Sequence, residues 1–400
     1  MADLLNLVDV ERIYRHVLAI EGEKYPLDSL KKLNECGDYI LKKFRDYGLT
    51  ATEQEFQVDG FDASFRNIEG SLGDGLGPEL LIVSHYDTVR KSPGANDNAS
   101  AVAVMLETAR LLASEGDHGN LRFISFTLEE MNPARELSIR TLGKQYEIID
   151  EQGRYTTWQT AKIMKNYSYQ IAKYSASGKP LNEVFNEVTG QLEPELTDSQ
   201  VKYLRELEKL SSGITVSSSR GRAGLTGSSV WVEKAVRNGS EIMGVLCLET
   251  IGYTSPLKNS QQFPQDMDPG MFRVFGTDKN LTTGDFLAIV GDGNSAQLAE
   301  AFCRQCERDD IKLPYACFQA DFSYEQAANL MPDILRSDHA PFWKADIPGL
   351  LLTDSANFRY LYYHTAADTI DKLDFDFLEK VCKATASTAI EITTQQEACK

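Results

Sequence analysis

The feature that most constrains the fold of this chain is an apolar run at residues 81–83 that leads directly into His85 and Asp87. Short apolar runs of this kind are typical of parallel strands that are buried on both faces. In open α/β sheets, functional side chains lie at the carboxyl ends of such strands. The sequence therefore predicts a strand over about 79–87 whose carboxyl end carries an imidazole and a carboxylate, with Asp97 following shortly after it.

Further apolar segments with turn residues at their ends predict the rest of a sheet. These strands lie at about 50–72 (as edge strands), 121–127, 243–248, 286–290 and 349–353. Apolar residues at helical spacing predict helices, which lie at about 1–48, 98–116 and 375–394. We therefore expect an α/β fold in which a mixed, mainly parallel β-sheet is flanked by helices.

Residues 132–223 interrupt this alternation of strands and helices. The block is rich in Lys, Glu, Gln and Tyr, and Thr197–Gln200 has the pattern of a capping box. It is therefore predicted to be a helical insertion that divides a catalytic domain into residues 1–131 and 224–400. Two interpretations stay open: the block overhangs the site as a lid, or it forms a peripheral or dimerising arm.

Composition limits the partners and the compartment that we expect. The formal net charge of −18 argues against nucleic acid and anionic membranes as partners. Seven cysteines are spread thinly, and the CxxC at Cys303 and Cys306 continues a helical pattern, so we expect reduced thiols in a cytoplasmic protein. We expect neither a signal peptide nor a membrane span, and the oligomeric state stays open.

Histidine and carboxylate side chains near the first predicted strand form the start of a candidate metal site. A dinuclear zinc site for hydrolysis requires a bridging carboxylate, nitrogen or oxygen ligands at each metal, and a base for the water. Asp87 is suitably spaced to hold the second ring nitrogen of His85, and Asp97 is a carboxylate that can bridge two cations. Taken singly, each of these residues also fits a structural role, such as a packed histidine or a helix cap.

Later residues can complete this set. Glu129 and Glu130 follow a buried strand, where two adjacent carboxylates need compensating positive charge. Adjacent residues of an extended chain point to opposite sides, so one can bind metal while its neighbour faces the water. Glu249 ends the next strand, and His364 follows the last one. The combined pattern is far more specific than any single residue in it.

Six stretches of the sequence resemble the co-catalytic zinc aminopeptidase family, which includes bacterial leucine-type aminopeptidases and, as a divergent branch, glutaminyl cyclases. They lie within residues 77–132 and 224–380 and read "SHYDT", "GANDNASAVAVMLE", "FTLEE", "LETIGY", "SDHAPFW" and "YYHTAADTIDKLD". The resemblance implies a mixed sheet with helices on both faces, and an enzyme that removes N-terminal residues from peptides with a free N-terminus.

The resemblance also implies which residues hold the metals. His85 and Glu249 would hold one zinc ion, Glu130 and His364 would hold the other, and Asp97 would bridge the two. The family often has Asp where this chain has Glu249, and the longer side chain would shift the metal or bind it differently. Zinc is the expected metal, although these ligand types also accept cobalt or manganese.

Catalytic roles follow from the same resemblance. Glu129 would be the general base that takes a proton from water and returns it to the leaving amine. Asp87 would orient the neighbouring histidine. Tyr363 would donate a hydrogen bond to the oxyanion, with Tyr362 as the competing choice. The segment Asp338–His339 would line the site in a supporting role.

Three other functions remain open at this stage. An N-acyl-amino-acid deacylase or carboxypeptidase of the related dinuclear zinc group shares several of these motifs, but its inserted domain normally has a sheet of its own. A glutaminyl cyclase would use a single zinc ion, whereas the complete ligand set favours two. A binding homologue without activity would be expected to have lost ligands.

Overall fold

A computed structural model describes residues 2–114, 119–175, 181–212, 223–264, 272–276 and 281–397. Within these ranges the chain forms nine strands that join in one sheet. The strands are β1 (Thr50–Gln57), β2 (Ser64–Leu72), β3 (Glu79–His85), β4 (Leu121–Phe126), β5 (Ile242–Glu249), β6 (Phe272–Gly276), β7 (Leu287–Gly291), β8 (Tyr315–Ala320) and β9 (Gly349–Thr353).

The sheet has the strand order β1-β2-β4-β3-β5-β9-β7-β8-β6. Its centre, β4-β3-β5-β9, is parallel, as is the pair β7–β8. The remaining neighbours are antiparallel. The predicted α/β class with a mixed sheet is confirmed, and its parallel part lies in the middle. Two details differ from the prediction: β6 and β8 were not predicted, and β2 lies inside the sheet, because β4 pairs with its second edge.

Helices cover both faces of this sheet. They are α1 (Ala2–Leu5), α2 (Val10–Ile20), α3 (Leu30–Asp46), α4 (Ala101–Ala113), α5 (Pro133–Gln145), α6 (Trp158–Ser175), α7 (Leu181–Leu192), α8 (Asp198–Leu210), α9 (Thr226–Arg237), α10 (Ala296–Cys306), α11 (Tyr324–Leu330), α12 (Ala340–Lys344) and α13 (Phe375–Glu397). None of the helices in the described ranges combines the length and hydropathy needed to cross a bilayer.

The central strand β3 is buried on both faces because its side chains alternate between two apolar cores. Leu80 and Ile82 pack in the core that contains α4 and α13. Leu81 and Val83 pack in a second core with Trp231 of α9 and side chains of α12. This alternation follows from the two-residue period of a strand. Burial on both faces holds the carboxyl end of β3, and therefore His85, in a rigid position.

The described residues of the block 132–223 are mainly helical, with turns over 146–157. Helices α5 to α8 share an apolar core of their own, formed by Ile148, Ile163, Met164, Tyr167, Val184, Val188, Tyr203 and Leu204. The capping box predicted at Thr197–Gln200 is present at the start of α8. The division of the chain into a catalytic domain and an inserted helical domain stays a prediction.

The two ends of this block lie side by side. The amide of Leu225 donates to the carbonyl oxygen of Glu129 (2.7 Å), and the amide of Gly227 donates to that of Thr127 (3.1 Å). A Cβ atom at Gly227 would lie 2.2 Å from the Thr127 oxygen. The chain therefore leaves the end of β4 and returns to it at one point. Glycine is required at residue 227, because any side chain there would displace the end of β4.

This close approach predicts that Gly227→Ala lowers the free energy of unfolding by about 1–3 kcal/mol, the usual cost of forcing an extra carbon into a packed site. Gly190→Ala is the matched control, because a Cβ atom at Gly190 in α7 meets no atom within 4 Å. Alanine in a helix is favoured over glycine, so this control is expected to be neutral or stabilising by up to about 1 kcal/mol. Denaturant unfolding measures both, and equal stability of Gly227→Ala and the wild type would contradict the constraint.

Candidate metal centre

The structure brings the predicted ligand residues together at the carboxyl edge of the parallel strands. His85 ends β3, Glu249 ends β5, and Glu129–Glu130 follow β4. Because these strands are parallel neighbours, their carboxyl ends lie side by side. Asp97 lies in the turn that precedes α4, and His364 lies in the loop region after β9.

One half of the site is built around His85. Its Nε2 atom lies 3.3 Å from Asp97 Oδ1, 3.2 Å from Glu249 Oε2 and 3.9 Å from Glu129 Oε2. Ser337 Oγ donates to the same oxygen of Glu249 at 2.8 Å. The ligand atoms of His85, Glu129 and Glu249 all lie within 4.8 Å of one another, which is a spacing that one cation can span.

The other half is built around His364. Its Nε2 atom lies 3.0 Å from Asp97 Oδ2 and 3.1 Å from Glu130 Oε2. Ligand atoms of His85, Asp97 and Glu130 also lie within 4.8 Å of one another. The two oxygens of Asp97 therefore face different partners, one toward His85 and the other toward His364, as a bridging carboxylate requires.

Asp87 contacts the backbone that carries the two glutamates. Its carboxylate accepts hydrogen bonds from the amides of Glu129 and Glu130, each at 3.1 Å. Its distance from His85 Nδ1 is 3.6 Å, which is longer than a hydrogen bond. The sequence analysis considered only the contact with the histidine. The structure adds that Asp87 holds the end of β4, where both glutamate side chains begin.

Burial sets the electrostatics of this centre. It raises the pKa of Glu129 well above its usual range, and burial together with the charge of Asp97 raises the pKa of Glu130 to about 7. Burial acts on Asp97 in the same sense, but the imidazoles of His364 and His85 hold its pKa far below the usual range. The carboxylates outnumber the imidazoles, so the described part of the centre has less positive than negative charge.

Several ligand atoms in this centre are buried without a hydrogen-bond partner among the described residues. They are both oxygens of Asp97, both ring nitrogens of His85 and one oxygen of Glu130. Buried ionisable atoms of this kind are costly unless they are paired or coordinate a metal. Imidazole nitrogens and carboxylate oxygens are the donors that zinc accepts. The donor set therefore fits divalent cations on both sides of Asp97.

The two candidate tyrosines lie in different surroundings. The ring of Tyr363 stacks on His364 with 3.7 Å between ring centroids, and Arg336 Nη2 donates to its hydroxyl at 3.2 Å. Burial raises the pKa of Tyr363 well above its usual range, so the phenol keeps its proton. Tyr362 instead packs edge-on against Tyr360. Tyr363 therefore lies against a candidate ligand and lines the adjoining cavity, and its role as the oxyanion donor stays a prediction.

The segment with Asp338 and His339 contributes a contact that the sequence analysis missed. Asp338 is buried, and burial raises its pKa to about 7. His339 Nε2 lies 2.7 Å from the carbonyl oxygen of Ile334, so this ring supports the local turn. The direct contact with a predicted ligand comes from Ser337, which bonds Glu249. Its place in the "SDHAPFW" stretch was the only signal for it in the sequence.

A largely apolar cavity adjoins the centre on the side of Glu129, Glu249 and Tyr363. Its space amounts to about 860 Å³, a figure that includes space open to solvent. Its apolar walls include Phe263, Phe272, Val290, Phe318, Ile334 and Leu351. None of the described residues of 132–223 lines this cavity, while residues 213–222 lie outside the described part. The interpretation of the block as a lid stays a prediction.

Comparisons with known proteins agree with this arrangement. The sequence profile of Peptidase family M28 matches residues 67–186 and 292–389, more than half of the chain. The matched ranges contain the candidate ligands other than Glu249. The uncharacterized protein YfbL of Escherichia coli is 24% identical over 365 residues, covering 88% of this chain and 79% of that protein. Aminopeptidase YwaD of Bacillus subtilis is 51% identical over 55 residues, 14% of this chain and 12% of that protein.

Solved structures share the fold. The LapA aminopeptidase of Legionella pneumophila has a TM-score of 0.56 and 15% identity, with 98% of this chain and 74% of that chain covered. A glutaminyl cyclase of Porphyromonas gingivalis has a TM-score of 0.54 and 16% identity, with 98% and 99% covered. Identity at this level shows the fold alone. The profile match, which covers more than half of the chain and most of the candidate ligands, shows that this chain belongs to Peptidase family M28.

Proposed function

We propose that this chain is a metal-dependent aminopeptidase that hydrolyses N-terminal residues from peptides. The observation that carries the proposal is the position of Asp97, whose two oxygens face separate ligand sets while the carboxylate of Glu129 lies beside them. Membership of a peptidase family supports a peptide substrate. The local similarity to an aminopeptidase supports cleavage at the amino end.

Two zinc ions per chain would serve as the cofactor. His85 and Glu249 would hold one ion, Glu130 and His364 would hold the other, and Asp97 would be shared. When bound, the ions lower the pKa of water and polarise the scissile carbonyl group. Other divalent metals suit the same donors.

Glu129 would act as the general base. Its carboxylate lines the apolar cavity, and its Oε2 atom is 3.9 Å from His85 Nε2, at the edge of the ligand set. It would take a proton from water and return it to the leaving amine. Burial raises the pKa of Glu129, which would favour the carboxyl form once it has taken the proton. Positive charge in the centre would favour its ionised form before the reaction.

Tyr363 would stabilise the oxyanion that develops on the substrate. Arg336 donates to the phenol oxygen, which leaves the phenol hydrogen available for the substrate. A neutral donor that is already in place needs little reorganisation as the negative charge forms.

The cavity supports a large apolar side chain at the substrate's first residue. Its aromatic and aliphatic walls begin beside Glu129 and Tyr363, so the first side chain would enter it while the scissile bond lies at the centre. This feature supports a peptide with an apolar N-terminal residue.

The alternatives find less support. A single-zinc glutaminyl cyclase would not need the His85 and His364 sides at once, and likeness to glutaminyl cyclases rests on the fold alone. A deacylase with a sheet in its inserted domain is disfavoured by the helices α5 to α8.

The cysteines of the described residues are free and buried, which supports a reducing, cytoplasmic setting.

A panel of short peptides and their N-acetylated twins tests the reaction. We expect the zinc-loaded chain to cleave only peptides with a free amine. We expect kcat/KM to be about 10–100-fold higher for N-terminal Leu or Phe than for Gly or Asp, the range that apolar pockets provide. Cleavage of acetylated peptides alone would identify a deacylase, and ammonia release with cyclisation of N-terminal Gln would identify a cyclase.

The base is tested by Glu129→Gln, which keeps the shape of the side chain and removes its basicity. We expect kcat to fall by about 100-fold to 10,000-fold, the range for a general base, while two zinc ions remain bound. The exposed Glu300→Gln on α10 is the control and should change neither quantity. Steady-state kinetics and metal analysis measure both. Wild-type turnover in Glu129→Gln would exclude this role.

The oxyanion donor is tested by comparing Tyr363→Phe with Tyr362→Phe. Each change removes one hydroxyl and keeps the ring. We expect kcat to fall about 100-fold for Tyr363→Phe, the usual effect of losing an oxyanion donor, with little change in KM. Tyr362→Phe should behave like the wild type. The reverse ranking would transfer the role to Tyr362.

A further inference from the structure

Asp368 is a buried carboxylate that the mechanism above does not use. Its Oδ1 atom accepts hydrogen bonds from the amide of Asn96 at 2.8 Å and from the hydroxyl of Tyr360 at 2.8 Å. Its Oδ2 atom accepts from the amide of Asp97 at 3.2 Å. The carbonyl oxygen of the same residue accepts from the amide of Ala95 at 3.2 Å. Three consecutive amides of one turn are therefore held by a single residue.

This turn carries the shared carboxylate of the metal centre. The oxygens of Asp97 have no hydrogen bond among the described residues, so its side chain is placed by its backbone and by the neighbouring imidazoles. A displacement of the turn therefore moves the carboxylate directly. By accepting from the Asn96 and Asp97 amides, Asp368 fixes the point from which this side chain extends.

Asp368 also belongs to the segment that carries His364. Its amide donates to the carbonyl oxygen of Thr365 at 3.2 Å, directly after the histidine. His364 is one third exposed, and residues 365–367 are exposed. The segment has little packing of its own at this point. The contacts of Asp368 thus join the His364 segment to the Asp97 turn and set the distance between the two ligands.

Asp87 makes similar contacts elsewhere in the centre. It accepts hydrogen bonds from two consecutive amides of a ligand-bearing turn, those of Glu129 and Glu130. The two residues act on different parts of the centre. Asp87 fixes the end of a strand that packing already holds. Asp368 fixes one side only, where Asp97 meets His364.

From these contacts we infer that Asp368 is a positioning residue that sets the affinity of the metal position formed by Asp97, Glu130 and His364. The inference rests on the proposed function, since it concerns the second of the two cations. His85 and Glu249 lie at strand ends that pack in the cores, so the first position shares only the carboxylate of Asp97 with the part of the chain that Asp368 holds. Residues that orient metal ligands in this way typically change metal affinity by about 10–100-fold when they are replaced.

The test is a titration of the metal-free full chain with zinc, in competition with a chromogenic chelator that resolves two binding steps. In Asp368→Asn, an amide group faces one of the backbone amides and cannot accept its hydrogen bond. We expect one of the two steps to lose about 10–100-fold in affinity and the other to change by less, because only the carboxylate of Asp97 is common to both positions. Asp371→Asn is the matched control, because this carboxylate of the same segment is 64% exposed and should change neither step.

A second variant covers the case in which Asp368→Asn does not fold, as judged by circular dichroism and the melting temperature of the metal-free chain. Tyr360→Phe removes one donor to Asp368 and leaves both amides in place, so we expect one of the two steps to lose affinity about 2–10-fold. The inference is overturned if Asp368→Asn binds both equivalents as the wild type does, or if both steps weaken equally. If Asp368→Asn does not fold, unchanged affinity at both steps in Tyr360→Phe overturns the inference.

The wild-type titration separates this inference from the function on which it rests. A wild-type chain that takes up fewer than two zinc ions overturns the proposed dinuclear site, and the inference with it. A wild type with two ions and an unaffected Asp368→Asn overturns the inference alone.

Discussion

The shared carboxylate of Asp97 is the contact on which the rest of the centre depends. It lies between two imidazoles, one at the end of a buried strand and one on a partly exposed loop, at 3.3 Å and 3.0 Å. A buried carboxylate in this position needs positive charge on both sides. The surrounding groups meet that need only in part, because further carboxylates approach the same imidazoles. This imbalance supports the proposal that the site binds cations, and the neighbouring residues hold the carboxylate in place.

Much of this arrangement could be predicted from the sequence, because apolar runs followed by polar residues mark where strands end. The apolar runs before His85, Glu129 and Glu249 indicate parallel strands, and parallel strands bring their carboxyl ends together. The strands β6 and β8 were harder to predict. The burial of β8 results from its place between β7 and β6, while its own sequence mixes Ala, Cys and Gln with two aromatic residues. Pairing partners that are distant in the chain leave no local signal.

The contacts that support the ligands could not be predicted for a related reason. Asp87 reaches the amides of Glu129 and Glu130 because the parallel register sets His85 opposite Phe126. A shift of that register would move Asp87 to a different part of β4. Asp368 reaches the Asp97 turn across more than 270 residues of sequence. The apolar cavity likewise collects side chains from several distant segments. These features depend on the strand register and on contacts between distant segments, and local sequence periodicity predicts neither.

The hydrogen bond between Thr127 and Gly227, where the two ends of the block 132–223 meet, has a consequence for the architecture of the whole chain. Paired hydrogen bonds join the two ends of the block, so these ends lie as close together as the ends of a tight turn. This pairing predicts that a block of another length would leave the geometry of the candidate centre unchanged, as long as the two ends still meet.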